Sequence, residues 1–330
     1  MRIVVLVDAD EVDPADPQFE KARRVKYRSM EFYVVSALRS IDHHVRVMPF
    51  NPDVQETIRE LQEANADVVF NLTEKVAEDR CKDMHVVALL ELLNIPYTGS
   101  DPLSMAICRD KALSKQILRS HGLKVPDFVS VPIGTTRLEK EMKFPLLIKP
   151  QMGDGSETIT LKSLVRNTAE MTAQIRHVHT LMQQPAICEE FIEGRELKVF
   201  IIGNDKPHVF PIGEIEFGAI KKGGPTFQTV RVKLDLKYKK KWKIRYKVVK
   251  LPPRVESKLV RDSKQIYRLL NLRGYARLDM RLTPSGDAYF LEANPNPSIY
   301  PYGSGGAVYW CGTDYPHFLE RIVKLALRKR

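Results

Sequence analysis

Four residues near the end of the chain have the types and spacing for phosphate and metal chemistry. They are Arg277, Asp279, Glu292 and Asn294, within GYARLDMRLTPSGDAYFLEANPNP from Gly274 to Pro297. Aromatic and aliphatic residues flank Pro284-Ser285-Gly286-Asp287, which predicts two strands joined by a tight turn. A loop centred between Ser285 and Gly286 sets Asp279 opposite Glu292 and Arg277 opposite Asn294. Strand side chains alternate faces, so all four then project from one face. A three-residue loop would divide them between two faces. Adjacent carboxylates repel. Hard oxygen ligands around a small divalent cation relieve that repulsion, and Mg2+ takes only one or two protein carboxylates plus phosphate oxygens. Ordinary ion pairs between Arg277 and Asp279 on an exposed face relieve it too, and pattern alone leaves both readings open.

Hydrophobic spacing predicts the elements that position this hairpin. Ile3 to Val7 reads as a buried strand ended by Asp8, and Met30, Tyr33, Val34, Ala37, Leu38 and Ile41 recur at helical spacing. Strands near 45–48 and 67–72 alternate with helices near 54–64 and 84–92. That alternation implies a parallel sheet covered by helices. Ligands in such sheets bind beyond the C-terminal strand ends, which nominates the loop after Asn71, with Glu74 and Glu78-Asp79-Arg80. Asp110 caps a helix running to Ser120, so Lys111 lies in a first turn where a cation opposes the dipole. A strand over 144–149 ends in Lys149, and a Gly-containing turn at 151–156 follows, before a strand near 158–161. Backbone N–H groups of such a turn can approach phosphate oxygens, with Lys149 adding charge. The turn is neither a P-loop nor G-x-G-x-x-G.

Asn167 caps a helix through Met182. Strands over 186–192 and 196–202 flank Glu193-Gly194-Arg195, a connector able to hold a planar base between backbone amides and apolar side chains. Further strands are expected over 208–215 and 226–234, then a helix over 254–271 and a last one over 314–328.

The 330 residues suit two or three domains, and 43% hydrophobic with 28% charged content fits a soluble globular protein. No apolar run approaches the roughly 20 residues of a membrane span. The four cysteines are scattered without C-x-x-C, which points to a reducing cytoplasm, and the eight histidines form no ligand cluster. Much of the +11 net charge lies in Lys237 to Lys250, where Trp242 and two tyrosines sit among the cations. Such a run can bind single-stranded nucleic acid; a solvated loop or a strand with one cationic face is the commoner outcome, so nucleic acid is not the expected partner.

With these residues laid out, the chain resembles the ATP-grasp ligases, and within them the D-alanine–D-alanine ligase-like group. The carriers are NIPYTGSDPL at 94–103, CRDKALSK at 108–115, LLIKP at 146–150, CEEFIEGRE at 188–196, LRGYARLD at 272–279 and LEANPNP at 291–297. Each is loose alone; their order and spacing make the signal. The resemblance implies an α/β and α+β protein of ATP-grasp architecture. Its parts would be an N-terminal Rossmann-like parallel-sheet domain (1–103), a central ATP-grasp subdomain (104–190) and a C-terminal one (191–330). It implies ATP gripped between two antiparallel sheets, transfer of phosphate to a carboxylate, and displacement of that phosphate by an amine.

Carried over by position, the resemblance makes Lys111 and Lys149 phosphate lysines, with Gly155 and Ser156 in the phosphate loop. Glu189 and Ile192 become adenine contacts, Phe191 lies beside the ring, Glu196 binds the ribose, and Lys233 belongs to a loop closing over the triphosphate. Asp279, Glu292 and Asn294 become Mg2+ ligands, with Mn2+ as a substitute. Arg277 and the backbone amide of Ser298 are the catalytic candidates, and Glu74, Tyr300 and Ser304 are substrate candidates. The implied partners are ATP and small carboxylate and amine substrates, without a membrane, and a homodimer is compatible. The chain departs from the group's pattern in four respects. Val7-Asp8-Ala9-Asp10-Glu11-Val12-Asp13 stands where D-alanine–D-alanine ligases carry Gly-Gly-x-Ser-x-Glu. Glu157-Thr158-Ile159 replaces a small-residue run. Pro297-Ser298 replaces Pro-Gly, and Ile299-Tyr300-Pro301-Tyr302 replaces the polar run that grips the second D-alanine. The expectation is a ligase whose substrate is not D-alanine. The alternatives are a genuine D-alanine–D-alanine ligase, a nucleic-acid-binding protein using 237–250, and an ATP-binding regulator without chemistry.

Overall fold

The structure is a computed structural model and describes residues 1–13, 15–20, 29–153, 158–218, 225–301 and 314–328. Strand β1 (Arg2–Val7) is buried on both faces, as its unbroken apolar run requires of a central parallel strand. It lies between β2 (His44–Pro49) and β3 (Val68–Asn71), parallel to both. Helices α1 (Met30–Arg39), α2 (Val54–Ala64) and α3 (Asp83–Leu92) cover this sheet. Ser29 caps α1 by accepting from Phe32 N, and Asp53 caps α2 by accepting from Gln55 N and Glu56 N. Val34, Val35 and Leu38 of α1 pack on one face of the sheet, and Leu61, Val86 and Leu90 of α2 and α3 on the other.

Helices α4 (Pro102–Arg109) and α5 (Lys111–Ser120) follow, each capped by the aspartate before it, Asp101 and Asp110. Strands β4 (Phe128–Val131), β5 (Leu146–Pro150), β6 (Leu164–Val165) and β7 (Ala186–Glu190) form an antiparallel sheet ordered β4-β7-β5-β6. Helix α6 (Thr168–Met182) buries Met171, Ile175 and Val178 against it. The largest sheet is ordered β11-β10-β8-β12-β13, with β9 beside the end of β8. Its strands are β8 (Arg195–Ile202), β9 (His208–Val209), β10 (Gly213–Phe217), β11 (Ile244–Val248), β12 (Tyr275–Leu282) and β13 (Ala288–Pro295). Helix α9 (Pro253–Leu269) covers one face, packing Leu259, Ile266 and Tyr267 with Leu278, Met280 and Phe290. The other face is turned toward the four-stranded sheet. The expected parallel N-terminal sheet and two antiparallel sheets are therefore all present.

The last helix, α10 (Tyr315–Ala326), returns to the N-terminal unit, where Phe318, Leu319, Ile322 and Val323 share a core with β1 and α1. Two expected strands are absent. Residues 226–234 hold helix α7 (Val230–Leu234), followed by α8 (Leu236–Lys241), because Thr229 and Asp235 each cap a short helical turn. The alternating Val230, Val232 and Leu234 mimic a strand period, but the caps decide. Near 158–161, Thr160 likewise caps a 3₁₀ turn over Leu161–Ser163. The basic run forms α8 and β11, the edge of the large sheet, with Arg245 and Lys247 exposed. Charged side chains on an edge strand block pairing with another chain.

Candidate active site

Arg277 pairs with Asn294 and Asp279 with Glu292, in the register read from the sequence. The route to that register is different. Thr283 N donates to Asp287 O at 2.9 Å and Gly286 N to Thr283 O at 3.0 Å, so the loop is Pro284, Ser285 and Gly286. Gly286 takes φ +87°, the left-handed position that closes a three-residue hairpin loop. Such a loop alone would set Asp279 opposite Leu291. A register shift beside Met280, which pairs with Phe290, leaves Leu291 as an extra residue and restores Glu292 to Asp279. Lys115 of α5 donates its ammonium to the Leu291 carbonyl, so the bulge has a buried partner. Leu278, Met280, Phe290 and Ala293 face the α9 core, while Arg277, Asp279, Arg281, Glu292 and Asn294 occupy the opposite face. Beyond β13, Asn296 accepts from Ser100 N at 2.8 Å and ties the hairpin's exit to the end of the N-terminal unit.

Asp279 is buried and engaged on both sides. Arg277 Nε lies 2.8 Å from its Oδ1, and Lys198 Nζ, directly across on β8, lies 2.7 Å from its Oδ2. Burial works to raise the Asp279 carboxyl, but the Arg277 and Lys198 charges outweigh it and hold the group below the usual carboxylate range. Glu292 makes no hydrogen bond or ion pair within the described residues, and the buried Asn294 amide nitrogen has no partner there either. Among the described residues no three His, Cys, Asp or Glu side chains come together to hold a metal by themselves. The donor set still fits a hard cation, since two carboxylates and one carboxamide are what Mg2+ takes when substrate oxygens complete its shell.

Between the two antiparallel sheets lies a cavity of about 60 Å3, lined by Lys149, Glu189, Phe191, Ile192, Glu196, Lys198, Phe227, Asp279, Arg281 and Glu292 among others. A second cavity of about 280 Å3 shares Lys149 and Ile159 with it and adds Lys111, Gly153 and the 78–81 loop. The nominated Glu78-Asp79-Arg80 segment thus meets the two predicted phosphate lysines. Lys111 donates to Gly153 O at 2.6 Å, and its first-turn placement is held by Asp110 capping α5. Phe191 meets Phe227 edge to face at 5.8 Å, so the 226–228 segment closes the cavity.

Other candidates fall elsewhere. Lys233 is exposed on α7 and does not line either cavity. Glu74 is half exposed and pairs with Arg80 at 2.9 Å. Ser298 is exposed, with its hydroxyl 3.5 Å from Met30 Sδ, and Tyr300 packs edge to face on Tyr33 at 5.1 Å. Gly155, Ser156 and Ser304 lie outside the described residues.

Three buried cations of the site were not singled out from the sequence. Lys115 and Lys149 flank Glu189 at 2.9 and 3.0 Å. Burial works to raise the Glu189 carboxyl, and the two ammonium groups overcome it and hold it low. Lys198 lies between Asp279 and Glu196. Arg281 donates to Ile192 O, to a Glu196 oxygen at 3.0 Å and to Thr226 O, and stands 5.1 Å from the Phe191 ring centre. Parity was the available signal: 277, 279 and 281 share a strand face, as do 196 and 198.

Asp8, at the end of β1, accepts from Glu74 N and Lys75 N and so joins the ends of β1 and β3. Burial pushes its carboxyl up to about 6, against those two hydrogen bonds, with the Glu74 and Asp10 charges adding to the rise. An acid raised in the fold favours folding only while protonated. Its contribution is present below about pH 4 and lost as the pH climbs through about 6. Asp8→Asn is therefore expected to be more stable than the parent at pH 7 by about 1–2 kcal/mol and equal to it near pH 4. Urea midpoints at the two pH values check this; an equal difference at both would rule out the ionisation.

Residues 117–324 match the sequence model of the family described as D-ala D-ala ligase C-terminus. The chain is 29% identical over 311 residues to an uncharacterized protein, y4sG, of Sinorhizobium fredii, covering 90% of this chain and 87% of that one. It is 30% identical over 268 residues to a D-alanine–D-alanine ligase of Aquifex aeolicus, covering 81% and 83%. In fold it resembles a Bacillus anthracis D-alanine–D-alanine ligase crystallised with ATP, with a TM-score of 0.74 at 22% identity, over 99% of this chain and 97% of that one.

Proposed function

We infer the function of this chain from one premise: it belongs to the D-alanine–D-alanine ligase family, ATP-grasp ligases that form a carbon–nitrogen bond. On that premise it is an ATP- and Mg2+-dependent carboxylate–amine ligase working through an acyl phosphate, on amino acids or small peptides other than D-alanine. The ligase half rests on one observation above others: Asp279 and Glu292 face Lys149 across the cleft between the antiparallel sheets.

Phosphoryl transfer needs positioning and neutralisation more than covalent help. Lys149, shared by the two cavities, and Lys111, lining the second, would hold the phosphates. Glu292 and Asn294, beside Asp279, would hold Mg2+, which when bound neutralises phosphate oxygens. A carboxylate oxygen attacks the γ-phosphorus and ADP leaves. An amine then attacks the acyl carbon, phosphate departs, and the amine loses a proton. Arg277, fixed by Asp279, is placed to stabilise the negative charge that builds on the acyl oxygen. Phe227 and Gln228, drawn down by the Arg281 and Glu196 contacts, would exclude water that hydrolyses an acyl phosphate.

The substrate half rests on the acceptor end. Ile299 is fully buried in the N-terminal core, its amide 3.4 Å from Met30 Sδ, and Tyr300 packs edge to face on Tyr33. Apolar and aromatic packing there supports a substrate other than D-alanine. The relatives named D-alanine–D-alanine ligase support the competing reading, D-alanine itself. The test is an ADP-release screen over amino acids, small peptides and carboxylates, with D-alanine among them. Release with a pair other than D-alanine is the expected result. D-alanine-stimulated release with dipeptide formation would replace the substrate reading.

A further inference from the structure

Among the described residues lining the cleft, Lys198 is a charged group that neither the sequence motifs nor the mechanism above uses. It is 4% exposed and sits at the register position directly across from Asp279. Its Nζ is 2.7 Å from Asp279 Oδ2 and 3.4 Å from Glu196 Oε1, and it lines the cavity with Lys149 and Glu292. An ammonium has three donors. Two have these carboxylate partners, and among the described residues the third has none. A buried donor without an acceptor is costly, which leaves that N–H for an acceptor brought in by a ligand.

The neighbouring carboxylates divide accordingly. Asp279 already carries two cationic partners, Arg277 and Lys198, so its charge is neutralised by the protein. Glu292 and the Asn294 carboxamide oxygen, neither with a hydrogen-bond partner among the described residues, are the ligands left open. Two cross-strand carboxylates would call for two divalent cations or one shared between them. With Asp279 neutralised, a single negative charge and one carboxamide remain, a set for one ion completed by phosphate oxygens.

We propose that Lys198 is a built-in cation of the triphosphate site, so that each bound nucleotide is accompanied by one divalent cation, on Glu292 and Asn294, where a pair would otherwise be held. The proposal rests on the reading of the cleft as a nucleotide site. Its alternative is that Lys198 serves only as a structural counter-ion of Asp279 and Glu196.

The two are separated by counting bound Mn2+ from its electron paramagnetic resonance signal. The probe is Mn2+ with adenosine 5′-(β,γ-imido)triphosphate, protein in excess, and nucleotide binding measured on the same samples by equilibrium dialysis. The parent is expected to bind one Mn2+ per bound nucleotide, Lys198→Arg one, and Lys198→Thr two. Two Mn2+ per nucleotide on the parent would overturn the proposal and leave the ligase reading intact, and this count does not depend on any variant folding. One Mn2+ on folded Lys198→Thr would assign Lys198 the counter-ion role. No nucleotide binding by the parent would overturn the ligase reading and this proposal together.

Discussion

Glu292→Gln is expected to lower substrate-stimulated ADP release by roughly a hundredfold while moving the urea midpoint by less than about 1 kcal/mol in stability. The two halves of that expectation come from one fact. Within the described residues Glu292 has no ion pair or hydrogen bond, so the fold loses little when its charge is removed. What it loses is the open carboxylate on the cleft face, beside Asn294 and across from Asp279. Asp279→Asn should behave differently. It removes the anion shared by the buried Lys198 and the partly buried Arg277, and a buried charge stripped of its partner costs about 3–5 kcal/mol. Inactivity of Asp279→Asn would therefore mix lost chemistry with lost structure, whereas Glu292→Gln isolates the chemistry. Full ADP release by Glu292→Gln in the coupled assay would sink the metal assignment.

The hairpin illustrates what a sequence conveys about a site. The pairing of Asp279 with Glu292 was legible, but it was reached through a two-residue loop that the chain does not make. The three-residue loop and the bulge at Leu291 each shift the register by one, and the shifts cancel. Neither leaves a mark strong enough to read: Leu291 is an ordinary apolar residue, and its bulge is stabilised by Lys115, 176 positions away. The N-terminal sheet was legible because a strand buried on both faces is apolar throughout. Thr229 and Asp235 were missed as helix caps because a five-residue helix has too few positions to display a 3.6-residue period. Lys115, Lys198 and Arg281 were missed for a broader reason. A lysine in a sequence reads as solvated, and only tertiary structure reveals which ones are buried against carboxylates. Of the residues carried over from the family's motifs, Lys111, Lys149, Glu189, Phe191, Ile192, Glu196, Asp279 and Glu292 line the two cavities, whereas Lys233 sits on a helix turned to solvent, Glu74, Ser298 and Tyr300 line neither, and Gly155, Ser156 and Ser304 lie outside the described residues.

Glu189→Gln should be as destabilising as any single change at the cleft, by about 3–5 kcal/mol. Its carboxylate, 2% exposed, is the only anion paired with Lys115 and Lys149 within the described residues, and their side chains are 0% and 4% exposed. Glutamine keeps the shape and one acceptor, yet leaves two buried ammonium groups facing each other without a charge between them. Lys115 cannot turn away, because it also supports the Leu291 bulge, so its loss of a partner is transmitted to the register of β13. Adding Lys115→Met to Glu189→Gln removes one of the stranded cations and should return part of the lost stability. The double-mutant cycle in urea would then give a coupling well above the few tenths of a kcal/mol of independent sites. Additive effects would mean that the three groups do not share one buried network. Lys149 offers a second measure. Phosphate oxygens can replace the missing carboxylate beside it, so ATP should raise the melting temperature of Glu189→Gln by more than it raises that of the parent. An equal or smaller rise would place the phosphates away from Lys149, and with them the assignment of the cleft's phosphate end.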